Sequence, residues 1–262
     1  MRPVDLNSFI ETLARQSGEA ILPFFRTNLA VQDKGDGIGA FDPVTEADRA
    51  AESVIRRRIH DAFPTHGIVG EEFADERLDA DYIWVIDPID GTRAFLCGLP
   101  VWGTLIGLMR LGNPVLGVMH QPYTGELFFG DCGSARVTGP RGERQLVARD
   151  CTRLADATLM TTDPRLFNDG EKGAYLSIER SVRLARYGAD CYAYAMLAAG
   201  QVDLVIETGL KPYDIVALIP IIEGAGGVVT TWSGQSAKNG GQIVAAATPT
   251  LHAEAMALLA GA

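Results

Sequence analysis

The stretch at residues 84–95, "WVIDPIDGTRAF", restricts the possible folds more than any other part of the chain. Trp84, Val85 and Ile86 form the apolar run of a strand buried in a sheet. Asp87 and Asp90 follow at once, with Pro88 and Ile89 between them. Pro88 is expected to take the chain out of the sheet at Asp87, Ile89 to pack down, and Asp90 to return toward the same side. Gly91 relieves the tight turn, and Thr92 offers a hydroxyl at a helix N-terminus. A helix cap needs one acid, not a second beyond a proline. Two carboxylates buried together repel unless a counterion joins them. Carboxylate, carbonyl and water oxygens suit a hard divalent cation, magnesium foremost. The strand therefore predicts a metal site at the end of a central core element.

Acids recur where other elements begin or end: Asp42, Asp48, Glu71, Glu72 and Asp214. Taken singly, Asp48 is explained by a capping box with Thr45, and Glu72 by solvent exposure. Apolar residues at helical spacing predict a helix over residues 5–27, unbroken or divided near Pro23, and "VTEADRAAESVIRRRIHDAF" predicts a second. In that second helix "IRRRIH" reads as a solvated face. "GTLIGLM", "PVLGVMHQP" and "GELFFG" predict a β-meander. Beyond about residue 148 five strand-like runs, "ATLMTT", "SVRLARY", "VDLVIET", "GGVVTT" and "QIVAAAT", alternate with helices near residues 173–179, 189–199 and 213–224 and at the C-terminus. This pattern predicts a layered α/β protein with two halves, residues 1–147 and 148–262, sharing a cleft.

A net charge of −10 argues against nucleic acid or an anionic membrane as partner. A phosphate remains possible if metal ions invert the local charge. The four cysteines are widely spaced and the N-terminus lacks an unbroken apolar stretch, so a reduced, cytoplasmic protein is expected. No run is long enough to span a membrane, and no EF-hand loop is present.

"DPVTEAD" (42–48), "GEE" (70–72), "WVIDPIDGTRAF" (84–95) and "PYDIVALIPIIEGAGG" (212–227) resemble, in order, the signature of the inositol monophosphatase superfamily. The resemblance implies an alternating α-β-α-β-α sandwich of the inositol monophosphatase and fructose-1,6-bisphosphatase type, commonly a homodimer. It further implies a lithium-sensitive, magnesium-dependent phosphomonoesterase in which manganese can substitute. Carried over by motif, Glu71, Asp87 and the Ile89 carbonyl would hold one ion. Asp87, Asp90 and Asp214 would hold a second, and Glu71 with waters a weaker third. Thr92 and Asp48 would orient and help deprotonate the attacking water, and Glu71 would join them in the catalytic set. Gly91 and Thr92 would offer backbone N–H groups to the phosphate.

The second half of the chain carries the signs of the alcohol. Asp190 stands two places after Gly188, where the inositol branch has a small residue, and Glu207 falls on a substrate-contacting position. Two acids beside the organic half of a ligand suit a cation better than a neutral polyol. "GLPVWGTLIGLM", "LGVMHQPYTGE" and "GLKPYD" resemble the branch that hydrolyses histidinol phosphate, a step of histidine biosynthesis. Tyr213 and Arg93 also depart from the inositol pattern. The expected substrate is thus a small phosphorylated amino alcohol. Alternatives are an inositol-1-monophosphatase, a broader sugar-phosphate phosphatase, or a regulator of RNA or polymerase that keeps the fold. Helix capping at Asp190 and a solvated strand edge at Glu207 are the structural alternatives for those two acids. Trp102 and Tyr123 read as core, and Arg186 stays unassigned.

Overall fold

In the computed structural model, residues 5–28, 31–33 and 43–260 are described. Asp42 lies outside them. Helix α1 (Leu6–Ile21) is capped by Asp5 and buries Ile10, Leu13, Ala14, Ser17, Gly18 and Ile21, one stripe at helical spacing. It ends before Pro23. A short antiparallel pair, β1 (Val31–Asp33) and β2 (Pro43–Thr45), leads into α2 (Glu46–Ala62), which opens with the Thr45–Asp48 capping box expected from the sequence.

A seven-stranded sheet follows. Strand β3 (Gly67–Gly70) pairs parallel with β4 (Tyr82–Asp90). From β4 an antiparallel meander runs through β5 (Gly103–Arg110), β6 (Asn113–Gln121), β7 (Glu126–Gly130), β8 (Ala135–Gly139) and β9 (Gly142–Gln145). Between β4 and β5 lies the short helix α3 (Thr92–Leu96). Period-two alternation divides the sheet's side chains: Ile106, Val118, Leu127 and Phe129 join α1 and α2 on one face, while Leu105, Met119 and Phe128 face the interior of the molecule.

The second sheet contains β10 (Thr158–Thr161), β11 (Leu184–Tyr187), β12 (Leu204–Leu210), β13 (Val228–Thr231) and β14 (Gly241–Ala246), in the order β11-β10-β12-β14-β13. Helices α4 (Asp169–Glu179) and α8 (Pro249–Ala260) cover its outer face. Between the two sheets lie α5 (Asp190–Ala198), α6 (Pro212–Ile215) and α7 (Leu218–Gly224), whose buried apolar residues join the central core cluster. The five layers are helix, sheet, helix, sheet, helix, as expected. The single helix expected over residues 213–224 is two. Pro220 has no N–H for the carbonyl of residue 216, so the ladder breaks there. The hairpin β8–β9, rich in charge, was not visible as strand in the sequence. No helix among the described residues is long and apolar enough to cross a membrane.

Candidate active site

Strand β4 does not stop at Asp87, contrary to the expectation from Pro88. It continues to Asp90 through a β-bulge: Asp87 lies opposite Leu105 and Asp90 opposite Gly103, three steps on one strand against two on the other. In a regular strand, residues three apart point to opposite faces. The extra residue restores the parity and puts both carboxylates on one side. Thr104 Oγ1 donates to the Pro88 carbonyl at 2.8 Å, holding the bulge, and Ile89 is fully buried beneath it.

Asp214, from α6 in the middle layer, completes the group. Asp87, Asp90 and Asp214 each offer a carboxylate oxygen, all within 4.8 Å of one another. Asp87 accepts from the Ile89 N–H (3.0 Å), Asp90 from the Cys191 N–H at the start of α5 (2.6 Å), and Asp214 from the Lys211 N–H (2.6 Å). A carboxylate has about four lone-pair sites, so one amide bond leaves it able to ligate. Asp87 is 2 % exposed. Burial pushes its pKa well above the ordinary range, and Glu71, Asp90, Asp214 and Asp48 push it further. Burial and then Asp190 and Asp214 do the same for Asp90, with the Cys191 hydrogen bond opposing. Hard oxygen donors drawn from a strand and a helix and crowded to mutual repulsion fit a divalent cation.

Glu71 reaches this group from the loop after β3, where its N–H donates to the Ile86 carbonyl of β4 at 3.3 Å. The loop is held by charged residues of α2, one of which, Arg56, the sequence reading left in solvent. Asp48, Glu52 and Arg56 recur every four residues on the buried face of α2. Arg56 donates to Glu52 at 2.7 Å and to the carbonyls of Phe73 and Ala74 at 3.1 and 3.0 Å. Glu52 in turn accepts the Glu72 N–H at 2.9 Å. The solvated reading of "IRRRIH" is therefore wrong for Arg56, and that of Glu72 fails too, its side chain being 2 % exposed. The i, i+4 spacing of Glu52 and Arg56, opposite in charge, was the available signal. Asp48 accepts from both the N–H and the hydroxyl of Thr45, and burial raises its pKa to about 6. Thr92 donates to the Ile89 carbonyl at 3.0 Å.

A cleft of about 310 Å³ opens beside the acids, lined in part by Asp90, Gly91, Thr92, Asp190, Glu207 and Asp214. Asp190 does not cap α5. Ala189 is at the cap position, and Asp190 adopts a left-handed backbone (φ 45°) that turns its carboxyl toward Gly91, 3.2 Å from where a Cβ would stand. Glu207 is not an edge charge either: β12 is a central strand, and the residue is 3 % exposed. It accepts from the Thr162 N–H (2.6 Å), the Thr162 hydroxyl (3.0 Å) and the Thr161 hydroxyl (3.2 Å). Burial raises Asp190 to about 6, against the hydrogen bond from Thr162 and the nearby Arg93 guanidinium. Burial raises Glu207 to about 8. At neutral pH, without ligand, the wall thus carries one negative charge at Asp190 and a largely protonated Glu207, not the two charges expected.

This sets a stability prediction. A folded pKa near 8 against an ordinary 4.5 means that the contribution of protonated Glu207 is complete below pH 4.5 and is lost as pH rises through 8. Glu207→Gln keeps an oxygen for Thr162 and never ionises. In chelator its Tm should equal wild type near pH 4.5 and exceed it by about 5 °C above pH 8. Calorimetry across that range checks the trend; a gain confined to low pH would contradict it.

The profile of the inositol monophosphatase family matches residues 4–261. The chain belongs to the inositol monophosphatase family. Its relatives within the family split by substrate. Bifunctional phosphatase IMPL2, chloroplastic, of Arabidopsis thaliana is 47 % identical over 85 % of this chain, which spans 63 % of that longer protein. A histidinol-phosphatase of Chlorobaculum parvum is 35 % identical, with 92 % of each chain covered. An inositol-1-monophosphatase of Mesorhizobium japonicum is 34 % identical over 89 % of this chain and 85 % of its own. Among solved structures, an inositol monophosphatase from Zymomonas mobilis superposes with a TM-score of 0.85 at 38 % identity, covering 97 % of this chain and 96 % of its own.

Trp102 is buried, as expected, whereas Tyr123, expected in the core, is 48 % exposed. Trp102 packs between Phe25 and Phe95, and Tyr123 against Phe25 and Arg26. Tyr213 precedes Asp214 in α6, Arg186 is exposed on β11, and Arg93 lines the cleft beside Asp190.

Proposed function

We propose that this phosphatase hydrolyses L-histidinol phosphate to L-histidinol and phosphate, with magnesium held by Glu71, Asp87, Asp90, Asp214 and the carbonyl of Ile89. The observation that carries the choice of alcohol is the acidic wall of Asp190 and Glu207, joined through Thr162 and placed next to the metal acids. A cationic nitrogen bound there would pair with Asp190 and favour the ionised form of Glu207. The histidinol-phosphatases among its relatives support this reading.

When bound, divalent ions neutralise the ester's charge and lower the pKa of water at the site. The chain's own residues do the rest. Gly91 and Thr92 would direct backbone N–H groups at the phosphate. The Thr92 hydroxyl, which donates to Ile89, keeps its oxygen lone pairs for a water proton. Asp48, near pH 6 in its titration, is suited to receive a proton at neutral pH. Attack in line with the leaving alcohol then needs no covalent enzyme intermediate.

A second reading, inositol monophosphate as substrate, draws on the Arg93 guanidinium beside Asp190, which offsets part of the acidic wall. Rates of phosphate release from both esters, with magnesium and with chelator, separate the two. Asp190→Asn should lower kcat/KM for histidinol phosphate about 10- to 100-fold, the worth of one charge-assisted hydrogen bond, and change inositol phosphate less than about threefold. Equal losses on both esters would remove the argument from charge.

A further inference from the structure

Among the described residues two buried side-chain polar atoms have no hydrogen-bond partner, Trp102 Nε1 and the Tyr194 hydroxyl. Trp102 is enclosed by the apolar cluster of Phe25, Phe95 and Ile89. Tyr194 is different: it lines the cleft while only 2 % exposed. Asp190, at the start of the same helix, lines the same cleft. None of Glu207, Asp90 and Asp214, the acids near Tyr194, is hydrogen-bonded to its hydroxyl. The hydroxyl is close enough to Glu207, Asp90 and Asp214 for their charges to raise its pKa, after burial, and it remains a neutral O–H. A buried hydroxyl with no partner is costly unless something arrives to bond it.

We propose that Tyr194 is a specificity-determining residue whose hydroxyl oxygen accepts a hydrogen bond from the cationic nitrogen of the substrate. This rests on the reading of the substrate as an amino-alcohol phosphate. An ammonium has three N–H donors, and the cleft then offers three oxygen sources, Asp190, Glu207 and Tyr194. A neutral polyol lacks the positive charge that the neighbouring acids attract, and an ester with no donor on its organic half, such as p-nitrophenyl phosphate, leaves the hydroxyl unused.

Tyr194→Phe removes the oxygen and nothing else. With the magnesium-loaded enzyme, KM for histidinol phosphate should rise about tenfold with kcat within twofold, the pattern of binding lost equally from ground and transition states. Kinetics on p-nitrophenyl phosphate, which has no amine, should be unchanged and show the site intact. A KM unchanged on histidinol phosphate, or raised equally on both esters, overturns the proposal; in the first case the hydroxyl meets only water. If the wild-type enzyme ignores histidinol phosphate, the substrate reading fails by itself, and phosphoethanolamine becomes the probe. A KM rise on that amine still supports the tyrosine contact, and no rise overturns it.

Discussion

Asp87→Asn should lower kcat/KM at least about a thousandfold and at the same time raise the melting temperature of the metal-free protein. The two effects have one cause. Asp87 is buried against Glu71, Asp90, Asp214 and Asp48, and its ionised form is strongly disfavoured when no cation is present. Its folded pKa lies well above the ordinary 3.8, so its stabilising contribution is complete below that value and is lost as pH rises. Asparagine keeps an oxygen for the Ile89 N–H and never ionises. The stability gain should therefore vanish near pH 3.5 and grow toward neutrality. Wild type should regain Tm as magnesium is added, because the ion binds only the folded state, and the variant should not. Phosphate release and calorimetry with and without chelator check both halves. Rates near wild type, or a large drop in Tm in chelator, would show that Asp87 is a structural acid.

That pairing was legible in the sequence because it needed only local facts: an apolar run, two acids, and a repulsion without a local remedy. Its geometry was not. Whether Pro88 ends a strand or sits in a bulge depends on β5, where Gly103 and Leu105 set the register, and one strand's sequence does not contain its partner. The alternative of a solvated edge for Glu207 fails for the same reason, since nothing in "VIETG" says that β10 and β14 lie on either side. Arg56 was misread because charge on a helix is ordinarily solvated; only the approach of the loop at residues 70–76 makes it interior. The five-layer architecture followed from family resemblance, whereas the alternation of apolar residues by itself yielded strands and helices without their stacking. Asp190 shows the limit most sharply. A capping residue and a cleft residue are the same letter, and the difference is a backbone angle.

How Asp214 comes to meet Asp87 leads to the other large effect, which lies in glycines rather than acids. Gly107, Gly117 and Gly130 stand side by side on β5, β6 and β7, paired Gly107 with Gly117 and Gly117 with Gly130. The segment α6–α7 lies on this row with its backbone. A Cβ on Gly107 would stand 2.8 Å from Val216 Cγ1 and 3.0 Å from the Ala217 nitrogen. One on Gly117 would stand 2.8 Å from the Ala217 carbonyl carbon and collide with its oxygen. The Ala217 atoms are main chain, so no rotamer change relieves the clash at Gly117. Asp214 is three residues earlier, and its depth in the cluster depends on that contact. Gly117→Ala should accordingly cost about 3 kcal/mol, or roughly 10 °C of Tm. In the protein that folds, α6 must lift, so half-saturation by magnesium should rise about tenfold. Gly173→Ala, on the exposed face of α4 with open space around it, should instead stabilise by about 0.5–1 kcal/mol and leave the magnesium requirement alone. If Gly117→Ala matched wild type in both Tm and magnesium dependence, the sheet and the segment carrying Asp214 would have to be held together by something other than this bare row of glycines.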